Sequence, residues 1–276
     1  MLSYKVYGTT GPALVLLHGF PLDHHMWIPA AQHLAAWCRV ILPDLGGFGM
    51  SPLSFSLSLN QVEHNSAVEW TLADYAAEVE EILEHLHWPR PCLLGGLSMG
   101  GYVAFQCWQK FGARLAGMIL CDTRVQADTP AAAVGRREMA ARVLQEGSGF
   151  LPGAMLPKLL WPETWQQSPT VPTDLTAVME NAPASGVAAA CLAMSVRPDV
   201  TELLPAINVP ALVVCGQHDV ISPPEEMAAW ASKLPRGEFA MIPAAGHMAP
   251  LEQPLLFANV VRSWAGRYWP ENPAEN

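Results

Sequence analysis

The chain has 276 residues, 51% of them hydrophobic and 14% charged, with a formal net charge of −10 and a pI near 5.3. That size and apolar content fit one large domain with a substantial core and exclude a disordered segment. Only 15 Lys and Arg are present, scattered along an acidic chain, which excludes a nucleic-acid partner; no apolar run is long enough to cross a bilayer and "MLSYKVYG" lacks the shape of a secretion signal, so no membrane partner and a cytoplasmic location are expected.

The first predicted strand, "ALVLLHG" at 13–19, is continuously apolar and runs into His18-Gly19-Phe20-Pro21. His24-His25 follows, and with His85-x-His87 it is read as exposed, since neither pair shares a helix face or has a carboxylate or thiol at ligand spacing; no metal site is expected. A second strand, "RVILPD" at 39–44, leads into "DLGGFGMS" at 44–51. Residues 52–70 carry no pattern that assigns them a role. From 72 to 86, Leu72, Tyr75, Ala76, Val79, Ile82, Leu83 and Leu86 fall at helical spacing with acids between them, predicting an amphipathic helix.

The stretch "LLGGLSMGGY" at 93–102 places one serine among four glycines, directly after the strand-like run "CLLGG" and at the start of a helical pattern. Gly96-Leu97-Ser98-Met99-Gly100 matches Gly-x-Ser-x-Gly, in which a sharp strand-to-helix turn lifts a nucleophilic serine out of a sheet and glycines let neighbouring backbones approach. At a helix N-terminus, unpaired N–H groups favour developing negative charge, so Met99 N–H is one expected oxyanion donor. The Phe20 N–H, from the loop after the first strand, is the expected second.

"LAGMILCD" at 115–122 is a further strand, after which the rhythm fails: 124–205 shows no strand-like run and nine prolines. Met139 and Val143, a Glu138 to Arg142 pair, and Leu175, Val178, Met179 and Ala182 predict helices within it. The expected organisation is a core of 1–123 and 206–276 with a small helical cap over 124–205, the alternative being a decorative or oligomerising excursion. Trp161, Trp165, Met155 and Met194 are candidate pocket residues or, more simply, packing residues; the paucity of cap cations apart from Arg136-Arg137 argues against a strongly anionic substrate.

Two last strands, "ALVVCG" at 211–216 and "EFAMIP" at 238–243, are followed by Asp219 and His247, and Phe257, Val260, Val261 and Trp264 mark a final helix before the tail "WPENPAEN". Strands alternating with helices predict a mostly parallel, doubly wound α/β sheet. A serine needs a base oriented by an acid, and Ser98, Asp219 and His247 supply them in the order Ser, Asp, His. Asp122 is the rival acid; His218 precedes the acid and breaks the order. The six cysteines stand singly in mostly apolar runs and are expected to be reduced core thiols.

Taken together, His18-Gly19-Phe20-Pro21, "PDLGGFGMS", "GLSMGG", "GQHDVISPP" and Gly246-His247 resemble the α/β-hydrolase superfamily over nearly the whole chain. "HGFPLD", "GLSMGG" and "DTRVQADTPAAAVGRREMA" are similar to small bacterial carboxylesterases, oxoadipate enol-lactonase and cofactor-free haloperoxidase-like esterases. The resemblance implies hydrolysis of a small-molecule ester or lactone without a cofactor. It leaves carbon–carbon bond hydrolysis, perhydrolysis, a lyase-type reaction and a non-catalytic ligand receptor as alternatives, and it says nothing of oligomeric state. Gly46 and Phe48 depart from the superfamily, which often has arginine and histidine there.

Overall fold

A computed structural model describes residues 1–57, 59, 62, 70–87 and 91–269. Most of the 52–70 stretch and nearly all of the C-terminal tail singled out in the sequence lie outside the described residues.

Seven strands form one sheet in the order β1-β3-β2-β4-β5-β6-β7. They are β1 Tyr4–Tyr7, β2 Ala13–Leu17, β3 Arg39–Pro43, β4 Cys92–Leu97, β5 Leu115–Cys121, β6 Ala211–Gly216 and β7 Gly237–Ile242. Only β1 is antiparallel, paired to β3; every other pair is parallel. β2, β4 and β6 are buried at every residue, as continuous apolar runs must be when helices cover both faces of a sheet. The register aligns the strand ends: Leu17 lies opposite Gly96, Leu97 opposite Cys121, and Cys121 opposite Val214. The loops that leave β2, β4, β5 and β6 therefore emerge at one edge.

The helices around the sheet are α1 Ile28–Leu34, α2 Leu72–His85, α3 Met99–Phe111, α9 Pro224–Ala231, α10 Ala249–Glu252 and α11 Pro254–Ala265, with α4 to α8 between β5 and β6. α2 starts at Thr71, whose backbone N–H and hydroxyl both meet the Asp74 carboxylate at 2.7 Å, and buries the apolar stripe read from the sequence. α11 buries Phe257, Val261 and Trp264 in the same way.

The inserted helices are α4 Pro130–Glu146, α5 Leu151–Leu159, α6 Thr164–Gln167, α7 Thr170–Glu180 and α8 Ala184–Ser195. Arg142 pairs with Glu146, four residues on, and not with Glu138 as the sequence reading had it. The two ends of the insertion are tied together. Val200 N–H donates to Val125 O at 2.8 Å, and the buried Arg197 donates to Gln126 O and bridges to Asp128. At the other side α8 rests on the loop after β3 through two glycines: a Cβ on Gly186 would lie 1.9 Å from Gly47 O.

Candidate active site

Ser98 stands between β4 and α3 with φ +53° and ψ −112°, a left-handed conformation that side chains rarely adopt. Its N–H donates to Cys121 O at 2.9 Å, and its carbonyl accepts the Thr123 hydroxyl at 2.8 Å, so the turn is fastened to the end of β5. The flanking glycines are steric necessities. A Cβ on Gly96 would lie 2.1 Å from Gly100 O, and one on Gly100 2.3 Å from Leu17 O.

The loop after β2 reaches the same turn. An ideal Cβ on Gly19 would sit 3.7 Å from the Ser98 Cβ, which puts the Gly19-Phe20 backbone beside the serine. His18, wholly buried, shapes this loop: Nδ1 donates to Gly19 O at 3.0 Å and Nε2 accepts from Leu45 N–H at 2.9 Å. Donating at one nitrogen and accepting at the other is the neutral imidazole, and burial lowers the His18 pKa accordingly. Phe48 packs edge-on against this ring with centroids 5.3 Å apart.

Asp219 and His247 are both buried and hydrogen-bonded, Nδ1 to Oδ2, at 2.8 Å. Oδ1 of Asp219 accepts from the amides of Ile221 and Ser222 at 2.7 and 3.0 Å. Burial by itself would raise this carboxyl; the His247 ring and the two amides outweigh it and hold the acid below the usual carboxylate range. With Nδ1 engaged by the carboxylate, Nε2 of His247 is the nitrogen left to exchange protons.

Asp122, the rival acid, lies within the same cluster but plays a different part. Its Oδ1 accepts from Gly216 N–H at 2.8 Å, and it sits close to Asp219 and Cys215, so burial first and the neighbouring Asp219 charge second push its pKa well above the ordinary value. A neutral carboxyl is the form this position favours. The imidazole of His247 is bonded to Asp219.

The histidine loop is held closely. His218 N–H donates to Ala245 O, and a Cβ on Gly216 would lie 1.9 Å from Gly246 O. His218 itself stacks flat on Trp161 of the insertion, at 5.2 Å and 7°, and takes no part in the Asp219 pairing. Of the other candidate pocket residues, Met194 is buried in packing and Trp165 is exposed.

Three features escaped the sequence reading. His24 is buried, contrary to expectation: its ring and its amide both bond to Asp44 Oδ1, at 2.7 and 3.0 Å, and it gathers with Asp23 and His25 so that ligand-type atoms of all three lie within 4.8 Å. Asp44, completely buried, also accepts from Met50 N–H at 3.1 Å, and these donors overcome burial to keep its pKa low. An aspartate ending a strand beside two histidines was the available signal. Glu252 is the third, and nothing in "MAPLEQP" distinguished it from a surface acid.

A family model described as "alpha/beta hydrolase fold" matches residues 12–254. Among solved structures, a thermophilic esterase from Thermogutta terrifontis is 42% identical with a TM-score of 0.89, covering 97% of this chain and 94% of that one. The enol-lactonase from Burkholderia xenovorans LB400 is 25% identical with a TM-score of 0.83, covering 96% of each chain. A pimeloyl-[acyl-carrier protein] methyl ester esterase from Nitrosospira multiformis is 28% identical over 91% of this chain and 94% of its own.

Proposed function

The chain belongs to the α/β-hydrolase fold family, and from that premise we propose that it is a serine-dependent hydrolase of small carboxylic esters, lactones included, acting through Ser98, His247 and Asp219. The observation that carries this reading is the 2.8 Å bond between His247 and Asp219, formed on the sheet edge where Ser98 stands at φ +53°. The esterases and the enol-lactonase it resembles support the ester or lactone bond as the target.

In the proposed reaction, His247 Nε2 takes the Ser98 proton as Oγ attacks the ester carbonyl. The amides of Phe20 and Met99, one beside the serine and one at the first residue of α3, receive the oxyanion. Asp219 keeps the imidazole in its Nδ1–H tautomer and balances its positive form. His247 then returns the proton to the leaving alkoxide; water enters, and the same steps run in reverse order to release the acid and restore Ser98. We read residues 124–205 as a cap over this edge, since α4 to α8 leave from the end of β5 and lay Trp161 on the loop that carries Asp219. The six buried, unpaired thiols suit a reducing compartment such as the cytoplasm.

Hydrolysis of p-nitrophenyl esters from acetate to decanoate, by the wild type and by Ser98→Ala side by side, tests this reading. Turnover by the wild type with a loss of at least about a thousandfold in the variant is expected. Equal turnover by both would overturn it.

A further inference from the structure

Glu252 is a buried carboxylate, 8% exposed, at the end of the short helix that follows His247. Its two oxygens face different parts of the molecule. Oε1 accepts from the N–H of Gly246, the residue before His247, at 2.8 Å. Oε2 accepts from two donors of the cap, Trp161 N–H at 2.9 Å and the Thr164 hydroxyl at 2.5 Å. Three donors converge on its two oxygens and favour the charged form, while burial works against them and raises the pKa above the ordinary carboxylate value.

The two segments that this carboxylate joins also touch through their backbones. A Cβ on Gly246 would lie 2.7 Å from Trp161 N and 3.0 Å from Leu159 O, so the cap backbone rests directly on the histidine loop. Next along, Gln253 Nε2 donates to Ala244 O at 3.0 Å, where Ala244 is held at φ +51°. The loop from 244 to 247 thus has a strained residue and a glycine, and depends on outside bonds for its path. Glu252 supplies the one among these that also reaches the cap.

We propose that Glu252 is a positioning residue that makes the placement of His247 conditional on the docking of cap residues Trp161–Thr164. The proposal rests on the Ser98, His247 and Asp219 reading. With the cap segment seated, Trp161 and Thr164 fix the carboxylate and the carboxylate fixes Gly246, so the imidazole stands ready. With the segment lifted, Oε2 loses both donors, Glu252 is free to turn toward water, and Gly246 loses its anchor. The enzyme is then fully assembled only when its cap is closed.

The test is a double-mutant cycle on p-nitrophenyl butyrate, with Thr164→Val, Glu252→Gln, both together, and Ser98→Ala as control. Thr164 touches Glu252 and has no bond to His247, Asp219 or Ser98 among the described residues, yet Thr164→Val should lower kcat on the order of tenfold, the worth of one hydrogen bond to a charged group. Glu252→Gln should lower kcat on the order of a hundredfold, as a displacement of the catalytic group near 1 Å does. In the Glu252→Gln background, Thr164→Val should change nothing further. The low-field proton resonance of the His247 to Asp219 bond should weaken in both single variants while thermal unfolding stays cooperative, a signature that loss of packing alone does not give. Multiplying effects, or a Thr164→Val enzyme with wild-type kcat and resonance, would overturn the proposal, and that variant decides the matter even if Glu252→Gln fails to fold. Should Ser98→Ala retain activity, the fault lies with the triad reading instead.

Discussion

At the scale of single residues, two buried aspartates of one cluster are pushed in opposite directions, the Asp219 carboxyl down and the Asp122 carboxyl up. Asp219 has an imidazole and two amides to stabilise its charge, whereas Asp122 has one amide and a like charge beside it. Asparagine is therefore a fair copy of Asp122 and a poor copy of Asp219. Asp122→Asn should keep kcat within a few-fold of wild type, and Asp219→Asn should lose on the order of a thousandfold or more because the imidazole is held in the wrong tautomer. Steady-state kinetics on one ester separate the two; similar losses in both variants would mean that Asp122 shares the charge. The sequence placed each acid at the end of one of two successive strands, and the order Ser, Asp, His fits both, so it left Asp122 standing as a rival. It did not show how Glu252, His18 and Asp44 are used, because a decisive partner of each, Trp161, Leu45 and His24, comes from a segment 20 to 91 residues away.

At the scale of elements, the departure at Gly46 has its explanation in α2. The Glu78 carboxylate fills the space beside Gly46: its Oε2 accepts the Gly46 N–H at 3.2 Å, and a Cβ there would lie 2.6 Å from it. Burial pushes the Glu78 carboxyl from 4.5 up to about 7. Between those values the folded protein holds a proton that the unfolded chain has released, so stability is fully present below about 4.5 and falls as pH rises toward 7. Glu78→Gln removes that slope and should stabilise the protein at pH 8 by at most ~3 kcal/mol, with a smaller gain at pH 5. Urea unfolding at the two pH values measures both gains, and equal gains would contradict the raised pKa. The strands that bury both faces were legible as apolar runs and α2 as a stripe. β1 was missed because an edge strand with the half-exposed pattern of "YKVY" has no such run. α8 was missed because nine of its 12 residues are buried, which erases the two-sided pattern that marks a surface helix.

At the scale of the whole molecule, all six cysteines are buried and unpaired. Burial pushes Cys92 to about 11 and Cys38 and Cys191 to about 12, so each resists forming the thiolate that a disulfide reagent needs. Ellman's reagent should label none of them in the native enzyme and all six in denaturant, making thiol release a clean monitor of global unfolding; fast labelling of a native thiol would reveal local opening. Among the described residues no helix is long and apolar enough to cross a membrane.

The knot of bonds at the base of the proposed cap, Val200 to Val125 and Arg197 to Gln126 and Asp128, has a consequence for how the protein can be remade. A segment whose entrance and exit are already joined is an interchangeable part. Everything between the two ends should then tolerate exchange for a relative's counterpart without asking the sheet to find a new path. A graft of this kind must carry its own equivalents of Trp161 and Thr164, or the transplanted lid will fit the barrel of the lock while leaving its bolt undrawn.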